Sequence, residues 1–287
     1  MQTIGFIGVG TMGKGMVENL AKNGFSVLAY NRTKSRIESL ASDKITIVDN
    51  PQGVTTADVI FTCLPSDESL QEIFETIQTH LAGKTFIDCG TTSIELTQKI
   101  TDLATNFDFI DAPITGSKLG AEGGKLMFMV GGKKDLVEKY TPILNAMGQR
   151  IVYCGENTFG QRAKIALNLT QALILQSYFE GITLAVKEGV PLDAIHEILD
   201  NSGAHNKACA FKIPYIKKRD FDQHFMLKLM YKDLKLAEKE QQRLGLTLPL
   251  TNNIVEVFKK AMDRGEGDDD FCTIIKTLEK MADIEIK

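Results

Sequence analysis

Three polar side chains with helical spacing are the first candidates for chemistry in this chain of 287 residues. Lys164, Asn168 and Gln171 fall at positions i, i+4 and i+7, so a helix would present them on one face among mostly apolar neighbours. Burial of a lysine beside a cofactor lowers its pKa into a range that suits proton transfer. The alternative is a lysine that reaches solvent from a helix start, with Asn168 as a surface polar residue. Spacing alone leaves both interpretations open.

A glycine-rich turn near the start of the chain indicates a cofactor site. An apolar run leads directly into the motif, a helical pattern follows, and the motif reads Gly8-Val9-Gly10-Thr11-Met12-Gly13. In such a turn Gly8 permits the sharp strand-to-helix bend, Gly10 lets the phosphates approach the backbone, and Gly13 lets the helix pack close to the strand. The helix N-terminus adds free N–H groups for the phosphates. This order predicts a dinucleotide site formed by the whole motif.

The residues after the second predicted strand indicate which dinucleotide binds. An NAD site usually has Asp or Glu there, whereas this chain has Asn31, followed by Arg32 and Thr33. A guanidinium binds a 2′-phosphate through two charge-assisted hydrogen bonds, and the neighbouring polar side chains can add neutral ones. The segment therefore favours NADP, with NAD as the alternative. An ordinary turn carrying a solvated arginine would look the same in sequence.

The elements that must position these residues change in character along the chain. Short β-type runs alternate with helical patterns up to Cys154, which predicts an α/β domain with a parallel, doubly wound sheet of the Rossmann type. The strands are predicted at Thr3–Val9, Ser26–Tyr30, Ile45–Val48, Val59–Leu64, Thr85–Asp88, Phe109–Asp111, Leu126–Val130 and Arg150–Cys154. The helices between them are predicted at Met12–Asn23, Lys34–Ala41, Ser69–His80, Ser93–Thr105 and Lys134–Met147. We place a dinucleotide-binding domain at residues 1–160 and an all-helical domain at residues 161–287.

The helical half begins with one long helix, predicted from Arg162 to Glu188, that joins the two domains. Its apolar residues cover more than one face, and a helix of this kind is normally buried. Four shorter helices follow, at Leu192–Asn201, Met226–Leu244, Leu250–Arg264 and Phe271–Met281. Because so few helices cannot cover the long one, either the nucleotide domain or a second subunit must cover the rest. The second possibility predicts a homodimer or homotetramer.

Composition excludes several classes of function. The net charge of −4 offers no general attraction to nucleic acid or to an anionic membrane. The five cysteines form no C-x-x-C pair and the four histidines are scattered, so no metal site is expected and the thiols are expected to be free. The most apolar segment, Ile165 to Phe179, is broken by polar residues and is shorter than the ~20 residues of a membrane span. With no recognisable signal peptide, we expect a soluble cytoplasmic protein.

Four motifs occur in order along essentially the whole chain. They are Gly8 to Gly13, Asp111-Ala112-Pro113-Ile114-Thr115-Gly116-Ser117 with its continuation to Leu126, Gly160-Gln161-Arg162-Ala163-Lys164-Ile165-Ala166-Leu167-Asn168, and Lys232-Asp233-Leu234. Together they carry a resemblance to the β-hydroxyacid dehydrogenases, a group that includes 3-hydroxyisobutyrate dehydrogenases and the tartronate semialdehyde and glyoxylate/succinic semialdehyde reductases. The resemblance implies a Rossmann domain, a long helix and a helical domain, and hydride transfer between NADP(H) and a small carboxylate-bearing substrate.

The resemblance also implies roles for individual residues. Lys164 corresponds to the catalytic lysine, and Asn168 to an asparagine that helps hold the substrate. Thr115, Gly116 and Ser117 correspond to the segment that grips the substrate carboxylate. The remaining correspondences concern the cofactor. The cofactor would contact the backbone at Leu64 and Pro65, Thr91 would lie near its nicotinamide ribose, and Lys232 would contact it from the helical domain.

This chain departs from the family pattern at several positions. The substrate loop of the family reads Ser-Gly-Gly where this chain has Thr115-Gly116-Ser117; Thr158 replaces a glycine and Leu167 an asparagine. The Gly-Ser pair resembles the glyoxylate/succinic semialdehyde reductases, although the Lys-Pro stretch usual in that branch is absent. Imine reductases and non-catalytic dinucleotide-binding regulators share the scaffold but generally lack the lysine. 6-Phosphogluconate dehydrogenase has a much longer helical domain. The substrate therefore stays open.

Overall fold

The computed structural model describes residues 3–287, and the chain divides into two compact units between Lys164 and Ile165. The predicted domain boundary at residue 160 lies shortly before this division. Within the described residues the strands all belong to the first unit, whereas the second is helical. The predicted fold class, a Rossmann-type α/β domain followed by a long helix and a helical domain, is confirmed.

The sheet of the first unit follows the strand order expected for dinucleotide binding. Its strands are β1 (Thr3–Ile7), β2 (Ser26–Tyr30), β3 (Ile45–Ile47), β4 (Val59–Thr62), β5 (Thr85–Asp88), β6 (Asp108–Asp111), β7 (Ile114–Thr115), β8 (Leu126–Gly131) and β9 (Gly148–Gly155). The first six are parallel in the order β3-β2-β1-β4-β5-β6. The order reverses between β1 and β4, and ligands of such sheets bind at the carboxyl ends of the strands on either side of that reversal.

One edge of the sheet departs from the parallel arrangement that the sequence predicts. β8 is antiparallel to both β6 and β7, and β9 is parallel to β8. The two-residue strand β7, which sequence reasoning missed, turns the chain back along β8. An antiparallel neighbour can be reached through a short connection, here residues 116–125, whereas a parallel neighbour needs a longer crossover.

The helices agree with the predicted pattern except at three places. They are α1 (Thr11–Lys22), α2 (Asp67–Ile77), α3 (Ile94–Leu103), α4 (Ser117–Glu122), α5 (Lys134–Met147), α6 (Phe159–Lys187), α7 (Leu192–Asp200), α8 (Lys207–Lys217), α9 (Leu227–Arg243), α10 (Pro249–Asp263) and α11 (Ile275–Ala282). The prediction of a helix at Lys34–Ala41 is wrong, because the segment forms two short 3₁₀ turns that bury Ile37 and Leu40. Apolar residues three apart share a face in a 3₁₀ turn as in an α-helix. α4 and α8 were not predicted; the first is short and contains Gly120, and the second contains Pro214.

Two apolar clusters hold the parallel sheet from opposite faces. Successive side chains of a strand point to opposite faces, so Phe6 of β1 joins Met16 and Leu20 of α1 in one cluster. Ile7 joins Ile60 of β4 in the other, together with side chains from the helices of the opposite face. Burial on both sides fixes the strand ends from which the candidate site is built.

The second unit has its own core, in which Phe179 of α6 packs with buried side chains of α8, α9 and α10. The long helix is not covered all round within one chain, since Leu173 and Ile174 are half-buried and Leu184 is 67% exposed. The homo-oligomer stays a prediction. Within residues 3–287 no helix combines the length and the apolar character needed to cross a membrane.

Candidate active site

The glycine turn between β1 and α1 has the geometry that each of its glycines was predicted to provide. Gly8 has a φ of 94°, and a Cβ added there would lie 2.4 Å from the carbonyl oxygen of Cys63. A Cβ on Gly13 would lie 2.2 Å from the carbonyl oxygen of Gly8, so this glycine lets α1 pack directly on the turn. A Cβ on Gly10 would meet nothing within 4 Å. Gly10 therefore leaves open space beside the backbone, as a cradle for a phosphate requires.

The start of α1 is free to receive an anion. Gly10 is its N-cap, no side chain caps the helix, and its first turn contains no acidic residue. Gly10 and Thr11 are exposed, whereas Val9 is buried and Met12 is half-buried. Uncapped N–H groups at a helix N-terminus attract negative charge through hydrogen bonding and the helix dipole. The residues present therefore fit a dinucleotide pyrophosphate.

The segments that follow β2 and β4 reach the same edge as the glycine turn. The backbone N–H of Gly8 donates to the carbonyl of Tyr30 at 3.0 Å, so Asn31 and Arg32 begin directly beside the turn. Arg32 and Thr33 are exposed, and the Asn31 amide donates to the Thr33 carbonyl at 3.0 Å. After β4, Leu64 is half-buried and Pro65 is exposed. A Cβ added to Gly8 would lie 3.0 Å from Cδ2 of Leu64, so this side chain lies beside the glycine turn.

Thr91 lies in the loop after β5, and this loop touches the loop after β4. A Cβ on Gly90 would lie 2.8 Å from the carbonyl oxygen of Leu64. Thr91 itself is half-buried. The structure therefore brings the predicted cofactor residues of the first unit, in the glycine turn and after β2, β4 and β5, to the carboxyl ends of neighbouring parallel strands.

The predicted substrate loop joins β7 to α4. Thr115 is half-buried, whereas Gly116 and Ser117 are exposed, with φ values of 142° and 59°. Ser117 thus occupies the left-handed region at a position where the family pattern has glycine, and a non-glycine residue there is strained. α4 packs on α1 through Asn19, whose amide donates to the carbonyls of Gly15 at 2.8 Å and Ala121 at 2.7 Å. The substrate loop is therefore tied to the helix of the glycine turn.

Lys164 and Asn168 lie one turn apart on α6 and are both buried, with exposures of 6% and 1%. In the second unit the Asn168 amide donates to Oδ2 of Asp233 at 2.5 Å, and the Lys232 ammonium lies 3.0 Å from Oδ1 of the same carboxylate. Gln171, one turn further along, is half-buried. Asp233 therefore links two predicted residues, Asn168 and Lys232, and fixes the orientation of the asparagine.

Sequence reasoning assigned no role to Asp233, although it lies within the quoted motif Lys232-Asp233-Leu234. It also missed a buried polar cluster in the first unit, at the carboxyl ends of β4, β5 and β6, made up of Thr62, Asp88, Thr92, Asp111 and Gln161. Burial raises the pKa of Asp111 to about 7, against the opposing effect of backbone N–H donors from Gln161 and Thr158. Asp111 and Gln161 stand in the quoted motifs, and a polar residue at the end of an apolar strand was the available signal.

The thiols do not form a reactive or metal-binding centre in the part of the chain that the structure describes. Burial raises the pKa of the Cys63 thiol to about 12 and raises the pKa of Cys89 well above its usual value, which keeps both thiols protonated. Among residues 3–287, no group of three or more His, Cys, Asp or Glu side chains is arranged to hold a metal ion.

Comparison with known proteins covers both units. Residues 3–155 match the family described as the NAD binding domain of 6-phosphogluconate dehydrogenase, and residues 159–278 match the NAD-binding domain of NADP-dependent 3-hydroxyisobutyrate dehydrogenase. The chain is 32% identical to glyoxylate/succinic semialdehyde reductase 1 of Arabidopsis thaliana, over 96% of this chain and 98% of the relative. It is 31% identical to 2-(hydroxymethyl)glutarate dehydrogenase of Eubacterium barkeri, over 99% of this chain and 97% of the relative.

Among solved structures, the chain is similar to Mycobacterium tuberculosis 3-hydroxyisobutyrate dehydrogenase with L-serine. The TM-score is 0.86 at 28% identity, and the match covers 97% of this chain and 99% of the other. An imine reductase from Myxococcus stipitatus gives a TM-score of 0.67 at 17% identity, which is a likeness of fold alone.

Proposed function

This chain belongs to the 3-hydroxyisobutyrate dehydrogenase-like family of β-hydroxyacid dehydrogenases, and from that premise we propose that Lys164 is its proton donor and NADP(H) its preferred cofactor. Membership makes it an NAD(P)-dependent dehydrogenase that acts on CH–OH groups of small hydroxy acids. The proposal depends most on one observation, the burial of Lys164 and Asn168 one turn apart on α6. A buried ammonium group is costly for folding, and such groups cluster at functional sites.

The proton chemistry follows from these two side chains. The nicotinamide cofactor, when bound, supplies or accepts the hydride. In the reductive direction the Lys164 ammonium group gives a proton to the developing alkoxide oxygen, and in the oxidative direction the neutral amine removes it. Asn168 orients that oxygen, and its own amide is oriented by the carboxylate of Asp233. A fixed donor beside the reacting oxygen lowers the entropic part of the barrier.

The cofactor preference is assigned to Arg32. Its exposed guanidinium follows β2 directly beside the glycine turn, where a carboxylate would repel a 2′-phosphate. We expect a lower KM for NADPH than for NADH. Because a charge-assisted hydrogen bond contributes about 1.5–3 kcal/mol, Arg32→Ala should raise the NADPH value about tenfold or more and leave the NADH value unchanged. Arg36→Ala, which removes another exposed arginine four positions along, is the matched control. Equal KM values for the two cofactors in the unmutated protein would overturn the assignment.

The substrate we propose is a small semialdehyde or keto acid with a free carboxylate, held at Thr115, Gly116 and Ser117. The hydroxyls of Thr115 and Ser117 and the neighbouring backbone N–H groups are suitable donors to a carboxylate. The name of the Arabidopsis relative makes a glyoxylate or succinic semialdehyde reductase the more specific alternative.

The direct experiment is an NADPH-oxidation assay on purified protein. Glyoxylate, succinic semialdehyde, methylmalonate semialdehyde and tartronate semialdehyde form the panel, with a cyclic imine as the control. Turnover of at least one of the carboxylates and none of the imine is expected. Turnover of the imine alone, or of nothing in the panel, would contradict the proposal.

We also propose that the functional form is a homodimer or homotetramer, in which a second copy covers the apolar face that α6 leaves open. Leu184 on this helix and Ile198 on α7 are 67% and 59% exposed in the single chain. Light scattering is expected to give a multiple of the chain mass of 31.7 kDa. A monomeric mass would contradict this.

A further inference from the structure

A buried polar cluster of five residues lies at the ends of β4, β5 and β6. Thr62, Asp88, Thr92, Asp111 and Gln161 are all at most 1% exposed. Burial of polar and charged groups is unfavourable unless each is well paired, so apolar residues would serve the stability of the sheet better. The cluster lies between the loop that carries Thr91 and the start of α6, which carries Lys164. Its hydrogen bonds show what it does at that place.

Gln161 forms hydrogen bonds to the residues on both sides of Thr91. Its Nε2 donates to the carbonyl of Gly90 at 2.9 Å, and its Oε1 accepts the N–H of Thr92 at 3.2 Å. The same Nε2 lies 3.4 Å from Oδ2 of Asp88. An amide offers a donor and an acceptor side by side, whereas an ionised carboxylate can only accept and an apolar side chain can do neither. The conformation of the Thr91 loop is therefore fixed by a residue of α6.

Asp111 fixes the start of the same helix. Its Oδ1 accepts the N–H of Thr158 at 2.8 Å, and its Oδ2 accepts the N–H of Gln161 at 2.9 Å. A Cβ on Gly160 would lie 2.8 Å from Oδ2, so the carboxylate packs directly against the helix backbone. Thr158 has a φ of 77°, which is strained for a β-branched residue and persists only where its surroundings hold it.

Lys164 follows Gln161 by three residues, which is less than one helical turn and about 4.5 Å along the axis. Any shift of the helix start is therefore passed directly to the lysine. We infer that Gln161 is a positioning residue, which holds Lys164 and the Thr91 loop in fixed register so that proton donor and cofactor site meet the substrate in one geometry. This inference rests on the proposed role of Lys164.

The test replaces Gln161 with residues that keep its bulk or its amide but not both. Gln161→Met retains the length and loses both polar atoms, whereas Gln161→Asn retains the amide but is too short to reach both partners. We expect kcat for the best carboxylate substrate, counted per NADPH-binding site by fluorescence titration, to fall about 10- to 100-fold, since small misplacements at a reacting centre have effects of this size. The Kd for NADPH should change less than threefold. The primary isotope effect with deuterated NADPH should increase, because hydride transfer becomes rate-limiting.

A second buried glutamine provides the matched control. Gln241 of α9 makes a similar pair of hydrogen bonds. Its Nε2 donates to Oδ1 of Asn252 at 2.8 Å, and its Oε1 accepts the N–H of Leu248 at 3.3 Å. Gln241→Met should lower the thermal midpoint as Gln161→Met does, with kcat per site and isotope effect unchanged.

Three results would overturn the inference. One is a kcat per site within twofold of the unmutated protein in both Gln161 variants. Another is an equal loss of kcat in Gln241→Met. The third is loss of NADPH binding in both Gln161 variants, which would make the residue a folding determinant. Failure of the proposed function is a separate outcome, since it would appear as full turnover in Lys164→Arg whatever the glutamine variants do.

Discussion

The glycines of the first turn offer a test that separates folding from cofactor binding. Gly10 and Gly13 are three residues apart, yet an added methyl group meets open space at Gly10 and the backbone at Gly13. We therefore expect Gly10→Ala to damage binding alone, and Gly13→Ala to damage stability.

The magnitudes follow from the two environments. At Gly10 an alanine lowers the entropy of the unfolded chain, which stabilises by about 0.4–1 kcal/mol, and it is a poorer N-cap than glycine by a comparable amount. The net change in the free energy of unfolding should lie within about 0.5 kcal/mol of zero.

At Gly13 the methyl would lie 2.2 Å from the carbonyl oxygen of Gly8, which is backbone and cannot swing away. Overpacking of this kind costs up to about 3 kcal/mol, and the better helix propensity of alanine recovers about 1 kcal/mol. A net loss of about 2 kcal/mol should lower the thermal midpoint by roughly 4–8 °C.

The assay combines urea unfolding with titration of NADPH fluorescence. For Gly10→Ala we expect unfolding like that of the unmutated protein and a Kd for NADPH raised at least tenfold, equivalent to about 1.4 kcal/mol, because the methyl would occupy the phosphate cradle. Unaltered NADPH affinity in Gly10→Ala would refute the reasoning about the turn. Unaltered stability in Gly13→Ala would refute the packing argument.

Further predictions concern the buried polar groups. Because burial raises the pKa of Asp111 from 3.8 to about 7, the folded protein keeps a proton that the unfolded chain releases, so the free energy of unfolding should fall as pH rises from 4 to 7 and level off above 7. The fall is at most about 4 kcal/mol, from three pKa units at about 1.4 kcal/mol each. Asp111→Asn should remove most of the difference in unfolding free energy that urea titrations measure between pH 5 and pH 8. An unchanged pH dependence in this variant would contradict the raised pKa of Asp111. Asn19→Ala leaves the buried carbonyls of Gly15 and Ala121 without their donor, so unfolding should become easier by about 1–3 kcal/mol, and KM for the carboxylate should rise if the loop shifts. Asp233→Asn, which cannot orient the Asn168 amide in the same way, should lower kcat at least tenfold with little change in the thermal midpoint; unaltered kcat would show that Asn168 needs no support.

The features that sequence predicted best are those in which backbone geometry restricts the residue type. The glycine turn is specified within six residues, because Gly8 and Gly13 each answer a backbone requirement that no other residue meets and Gly10 leaves space beside the backbone. Helical spacing predicted that Lys164 and Asn168 share one face, and both are buried one turn apart on α6. Their roles came from the family resemblance and stay predictions. By contrast, the helix predicted at Lys34–Ala41 is wrong, since Ile37 and Leu40 satisfy a 3₁₀ turn equally well.

The partners of the site residues could not be predicted, because they are distant in sequence. Asn168 and Asp233 are separated by 65 positions, and Gln161 is 71 positions from Gly90. Neither spacing carries a periodic signal, so these contacts exist only once the strands and helices have packed. Ser117 and Thr158 show a related limit, since their left-handed backbone suits glycine and only the family pattern, which has glycine at both positions, gives a sign of it.

The central claim is that Lys164 moves the proton in a hydroxy-acid dehydrogenase, and a single-turnover measurement tests it most directly. Lys164→Arg keeps the positive charge, but a guanidinium stays protonated and does not serve as an acid or base near neutral pH. With NADPH bound and the best carboxylate substrate saturating, we predict that the rate of NADPH oxidation falls by at least 100-fold, while the Kd for NADPH stays within threefold of the unmutated protein. A single-turnover rate close to that of the unmutated protein would contradict the account.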